Sequence, residues 1–212
     1  RTYPAEGEVG DAEKGLLADA GKTLPFADKV EYFPLIESQP RWLNFMRGAL
    51  DFVGIPKDNF SSAIDPATGD LKGDLSGKGI RLQKVPQMDL TYIAFNMEDP
   101  AVKKLGPDFR KAVALAMDEK QLMNLFYNGR GVIAQSPVPP GILGYDETYV
   151  NPYSSYNPTR AKELLAKAGY PGGKGLPELV YETSEGTDAR QQAEWIQNQL
   201  AAVGIKIRVN AN

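Results

Sequence analysis

Residues 179–209 read LVYETSEGTDARQQAEWIQNQLAAVGIKIRV, and their periodicity sets the fold class. Leu179–Thr183 is a short run of strand formers. A helix follows from Asp188, with Ala193, Ile196, Leu200 and Val203 recurring at three and four residues on one face. Gly204 stops it, because a residue without Cβ tolerates the left-handed conformation that closes a helix. Ile205–Val209 is a second strand. Strand, helix, strand in that order predicts helices packed on a sheet, an α/β arrangement.

The same punctuation extends upstream. Asn157-Pro158 is an N-cap followed by a first-turn proline, with Ala161, Leu164, Leu165 and Ala168 inward and Gly169 just past the end. Pro107 opens another helix, whose apolar stripe is Phe109, Val113, Ala116 and Met117. Asp118-Glu119-Lys120-Gln121 has the pattern of a capping box, and the helix it starts turns Leu122, Leu125 and Phe126 inward before Asn128-Gly129. Ser38 caps a helix carrying Pro40, Trp42 and Met46, with Ala49 and Leu50 on the same face.

Five further stretches carry strand composition: Val30–Ile36, Asp51–Ile55, Ile80–Val85, Leu90–Asn96 and Gly131–Gln135. Pro86-Gln87-Met88-Asp89 connects the third and fourth. Residues 1–28 are expected to be irregular with one helical turn, residues 57–79 to form an exposed loop with a short helix near Phe60–Ile64, and Ser136–Gly144 a Pro/Gly loop. The whole is a mixed sheet with packed helices.

Composition narrows the chemistry. The chain has 212 residues and a formal charge of -3, with both signs interspersed and no basic run to track a phosphate backbone. Nucleic acid is therefore not an expected partner. Histidine and cysteine are both absent, which removes Ser-His-Asp and Cys-His catalysis, thiolate nucleophiles and the usual zinc ligands. No apolar run approaches the ~18 residues of a membrane span. The chain begins Arg1-Thr2-Tyr3-Pro4, without Met, and is read as an internal piece of a longer protein.

Most candidate motifs dissolve on inspection. Gly73–Lys78 is one residue short of a phosphate-binding loop, and Gly79 stands where a magnesium-holding hydroxyl belongs. Asp65, Asp70 and Asp74 lack the alternating spacing of a calcium loop. No carboxylate pair stands out among 27 acids. Trp42 and Trp195 lie on or beside apolar helix faces and read as core. Tyr145, Tyr149, Tyr153 and Tyr156 cluster with Pro139, Pro140 and Pro152, a composition suited to lining a ligand cleft or to a surface loop folded over its own rings. No cofactor, metal or catalytic residue is expected, and the chain is read as a non-enzyme.

Several strings resemble one family in order and spacing. They are Asp89–Asn96, Phe109–Asp118, Asn128–Gly131 with Ser136–Asp146, Tyr156–Pro171, and Gln199-Leu200 with Val203–Ile207. Together they resemble the family 5 extracellular solute-binding proteins, receptors of oligopeptide and dipeptide ABC importers. The resemblance is good over about residues 85–210 and looser before them, at Leu24–Val30 and Gly48–Asp51.

The resemblance implies that residues 1–212 are a single excised lobe, the C-terminal lobe, of a two-lobed receptor with a type II periplasmic-binding-protein-like fold. It implies a short peptide as ligand of the full-length protein, an ABC permease as membrane partner, a monomer, and a periplasmic or extracellular location with or without a lipid anchor. Sugars, opines and metal chelates are alternative cargo, and an interaction module for a chemosensor or periplasmic partner is an alternative role. Tyr92 and Asn96 match a family strand whose end approaches the cleft, and Pro139, Pro140 and Tyr145 match a loop near it. A lobe without its opposite wall is expected to bind peptide weakly by itself, since it buries little of the ligand.

Overall fold

The computed structural model describes residues 1–85 and 87–212, so Pro86, in the expected connection between two strands, lies outside the described residues. The chain divides into two compact units, Arg1–Leu35 and Ile36–Asn212. In the first, an antiparallel bridge joins Thr2 to Thr23, and the residues between them run through successive turns. Tyr3 ties this unit together: its hydroxyl donates to the Leu16 carbonyl at 3.0 Å, and its ring stacks near Phe26.

The second unit carries eight helices and two strands among the described residues. The helices are α1 (Ser38–Met46), α2 (Phe60–Ala63), α3 (Gly73–Ser76), α4 (Pro100–Lys104), α5 (Gly106–Leu115), α6 (Glu119–Tyr127), α7 (Pro158–Lys167) and α8 (Thr187–Ala201). The strands are β1 (Leu179–Thr183) and β2 (Ile207–Ala211). They pair in parallel, Leu179 opposite Ile207 and Thr183 opposite Ala211, with α8 as the crossover that a parallel pair requires.

β2 begins two residues later than the sequence pattern suggests. The N–H of Ile205 bonds back to the Leu200 carbonyl at 3.0 Å, and Gly204 adopts a φ of 95°. Ile205 is thus spent on closing α8, and the chain extends only after it. α7 ends the same way, with Gly169 at φ 95° and Tyr170 N–H on the Leu165 carbonyl at 3.0 Å.

The main core joins α5, α7 and α8. Phe109, Leu115, Leu165, Val203 and Ile205 are almost completely buried there, and the expected stripes of α5 and α8 are buried throughout. A second, smaller cluster gathers Trp42, Ala63, Ile64 and Leu75. Residues 57–79 are therefore more than the exposed loop expected of them. They form a 3-10 turn at Lys57–Asn59, the short helix α2 where one is expected near Phe60–Ile64, and the further short helix α3, because Ala63, Ile64 and Leu75 are apolar enough to fold the segment against Trp42. Two smaller expectations also fail. Leu125 is 53% exposed on the outer face of α6. Ser38 lies inside α1, whose N-cap position belongs to Glu37.

None of the five further strand-like stretches forms a named strand. Among the described residues, no backbone-to-backbone hydrogen bond involves positions 80–95 or 132–138. β-branched and aromatic residues mark a segment that fits a pleated surface, but a strand exists only when a neighbour completes its ladder. Composition carried the first condition and could not report the second.

Candidate ligand-binding site

A broad open hollow of about 2470 Å³ lies within the second unit. That is larger than the roughly 300–1,000 Å³ of a drug-sized pocket, and closer to an open cleft wall. Its lining comes from residues 51–55, 78–85, 89–93 and 130–140, together with side chains of α5, α6 and α8. The strand-like stretches that lack a ladder supply much of it.

Four of the five residues picked out from sequence line this hollow: Tyr92, Pro139, Pro140 and Tyr145. Tyr92 is 74% exposed. Asn96 does not line it. Its side-chain oxygen accepts the Glu98 N–H at 3.1 Å and its carbonyl accepts from Asp99 N–H at 3.2 Å, so it shapes the turn into α4.

The loop holding Pro139, Pro140 and Tyr145 is built from consecutive turns. Ile142 N–H reaches the Pro139 carbonyl at 3.3 Å, and Tyr145 N–H reaches the Ile142 carbonyl at 3.1 Å. Gly141 sits between them at a φ of 87°, which an L side chain rarely adopts. Gln135 anchors the loop from below: its side-chain oxygen accepts from Asn151 N–H and Ser154 Oγ, both at 2.9 Å. Just past Tyr145, Thr148 donates to Asp146 from its hydroxyl and its N–H, which holds that carboxyl below the usual range. The tyrosine cluster divides: Tyr149 joins Tyr145 at the hollow, whereas Tyr153 packs on the main core under the cations of Lys111 and Arg160.

Helix α6 contributes residues that the sequence pattern did not mark as a site. Glu119, Met123 and Tyr127 recur every four residues, and all line the hollow. Burial pushes the Glu119 carboxyl up to about 7, and its Oε2 is buried with no hydrogen-bond partner among the described residues. The Tyr181 phenol is raised, mainly by burial. Arg130, also on the lining, donates from Nε to the Tyr127 carbonyl at 3.0 Å and lies 4.7 Å from the Phe60 ring centre. Burial lowers its pKa. The helical spacing of Glu119, Met123 and Tyr127 was visible in sequence, but only the fold reveals which face meets the hollow.

The capping box expected at α6 is half formed. Asp118 accepts from Gln121 N–H at 2.9 Å. The Gln121 side chain instead turns to α8, where its oxygen accepts from Trp195 Nε1 at 2.7 Å and Gln199 Nε2 at 3.3 Å. That bond orients α6, and hence its hollow-facing side, against α8. A smaller hollow of about 480 Å³ lies by Gly173, Glu178 and Arg208 and includes none of the residues picked out from sequence. No described helix is long and apolar enough to cross a membrane.

This mixed helix-and-sheet architecture is that of one lobe of a periplasmic binding protein. The chain matches over 84% of its length the oligopeptide-binding protein AppA of Bacillus subtilis, solved with a nonapeptide, at 22% identity and a TM-score of 0.65, covering 35% of that chain. Residues 18–212 match the middle section of the bacterial extracellular solute-binding proteins, family 5, and the chain belongs to that family. A dipeptide-binding protein of Pseudomonas aeruginosa is 29% identical over 148 residues, 69% of this chain and 27% of the relative. The glutathione-binding protein GsiB of Escherichia coli O6:K15:H31 is 33% identical over 189 residues, 89% of this chain and 33% of the relative. The chain thus spans between a quarter and a third of the length of these curated relatives.

Proposed function

We propose that this chain supplies one wall of the ligand cleft in the substrate-binding component of a peptide ABC importer. The receptor works outside the cytoplasmic membrane, delivers short peptides to a membrane permease, and catalyses no reaction. The observation that carries this reading is the hollow itself, with its tyrosines and prolines and with no backbone-to-backbone hydrogen bond among the described residues of 80–85, 87–95 and 132–138. Extended peptides are held chiefly by main-chain hydrogen bonds, which is how one site accepts varied side chains. Tyr92, Pro139, Pro140 and Tyr145 are the proposed contact residues. The dipeptide- and glutathione-binding relatives support peptide-like cargo. Capture follows from closure of this lobe on an opposite one, a hinge motion.

The test is a thermal-shift screen of the full-length protein that carries these residues. A ligand that binds only the folded state raises the unfolding midpoint by mass action. Di- to hexapeptides should raise it, and sugars, opines and metal chelates should not. A shift with one of those classes and none with peptides would keep the receptor and overturn the peptide assignment.

A further inference from the structure

Helix α6 ends at a residue whose side chain reaches another part of the fold. Asn128 closes the helix in the left-handed conformation, at φ 52° and ψ 39°, a position where glycine would serve at no steric cost. What asparagine adds is a donor: its Nδ2 bonds to the Lys57 carbonyl at 3.2 Å, 71 residues away in the chain. Lys57 is also held from a second side. Its mostly buried side chain places Nζ 2.9 Å from Asp58 and 3.8 Å from Asp188, in the first turn of α8. Among the described residues, no main-chain-to-main-chain hydrogen bond joins positions 36–79 to positions 96–212. The polar hold between the segment of the small cluster and the main core therefore falls to side chains, and Glu37 adds to it by accepting from Thr187 N–H at 3.4 Å.

This junction continues directly into the hollow. Phe60 begins α2 just after the turn that holds Lys57, and Arg130 follows Asn128 closely in the chain. The Arg130 guanidinium stands 4.7 Å from the Phe60 ring centre, and its Nε donates to the Tyr127 carbonyl at 3.0 Å. Phe60, Tyr127 and Arg130 all line the hollow, whereas Lys57, Asn128 and Asp188 do not. We propose that Asn128 is a positioning residue: through Lys57 it fixes Phe60 and Arg130 as one stretch of the wall, and so sets ligand affinity from outside the hollow. A wall held in place before binding loses less conformational freedom when the ligand arrives. The inference deepens the peptide reading above and rests on it.

Calorimetry on the full-length protein tests the proposal with dialanine, trialanine and Ala-Phe-Ala as probes. Asn128→Gly keeps the left-handed turn and removes the donor, and Asn128→Asp keeps the shape but turns a carboxylate oxygen towards the Lys57 carbonyl. Both should bind the tightest of the three probes about fivefold or more weakly than the wild type, the scale of one hydrogen bond. Asn157→Ala, which removes the side-chain cap of α7, should lower the melting temperature and leave that affinity unchanged, which separates positioning from a general loss of stability. Arg130→Gln should weaken binding by less in the Asn128→Gly background than in the wild type, whereas Tyr145→Ala should weaken it equally in both, because only the first pair shares a stretch of wall. Unchanged circular dichroism confirms that the variants fold. Wild-type affinity in Asn128→Gly, an equal loss of affinity in Asn157→Ala, or full additivity with Arg130→Gln overturns the role of Asn128 and leaves the peptide reading standing. Failure of the wild type to bind any probe overturns both.

Discussion

Asn157 is bonded to Leu115 through its backbone N–H, which donates to the Leu115 carbonyl at 2.8 Å, while its side chain accepts from Arg160 N–H at 2.9 Å. One residue therefore joins the last turn of α5 to the first turn of α7, the two helices that frame the main core. The proline that follows fixes the first helical φ and has no N–H to leave unsatisfied. Asn157→Ala keeps the backbone bond and loses the cap. It should cost about 1 kcal/mol and lower the melting temperature by about 2–4 °C. Asn157→Asp should be close to neutral, and differential scanning calorimetry separates the two.

Gly173 and Gly204 touch backbone to backbone. A Cβ on Gly173 would overlap the Gly204 carbonyl, whereas one on Gly175 would meet nothing within 4 Å. Both Gly173 and Gly175 have positive φ, so both alanine variants carry the cost of about 1–2 kcal/mol for a left-handed residue. Gly173→Ala should be the more damaging of the pair, because the turn and the end of α8 must also separate. Urea titration of the two variants measures that difference.

Leu165 on α7 is completely buried against α5 and α8. Leu165→Ala should destabilise by about 2–5 kcal/mol, and a drop in the urea midpoint at constant slope would show that the native compactness is unchanged.

Glu119 gives stability a pH dependence. Its folded-state pKa of about 7 lies above the ordinary 4.5, so between those values the folded chain holds more proton than the unfolded chain. Its contribution is complete below pH 4.5 and is lost as pH rises towards 7, by about 1–2 kcal/mol after screening of a half-buried group. Glu119→Gln should flatten that slope. Unfolding free energies at pH 4.5, 6 and 8 for both proteins provide the check.

The helical half of this fold was legible because its signals are local. The Asn157 cap, Gly169 and Gly204 and the stripe through Ala193, Ile196 and Leu200 each act within a few residues, and the structure realises all of them. The strand-like stretches depart from their pattern for the opposite reason. Ile80–Val85 and Leu90–Asn96 have the side-chain pattern, yet pairing depends on a distant neighbour that no local pattern names. The candidate site follows the same division. Tyr92, Pro139, Pro140 and Tyr145 are marked by resemblance and fall on one hollow, while Asn96 from the same strand-like string turns away into the turn before α4. Glu119 carries no site signal in the sequence because its position also suits a helix first turn, and burial of its carboxyl depends on packing far along the chain.

The most direct test of the central claim is isothermal titration of the full-length protein with mixed di- to hexapeptides, beside its Tyr92→Ala and Tyr145→Ala variants. If the hollow is the peptide-facing wall, the wild type binds and each variant binds about tenfold more weakly, as removal of an aromatic contact predicts. Wild-type affinity retained in both variants, or no peptide binding by the wild type, would contradict the account.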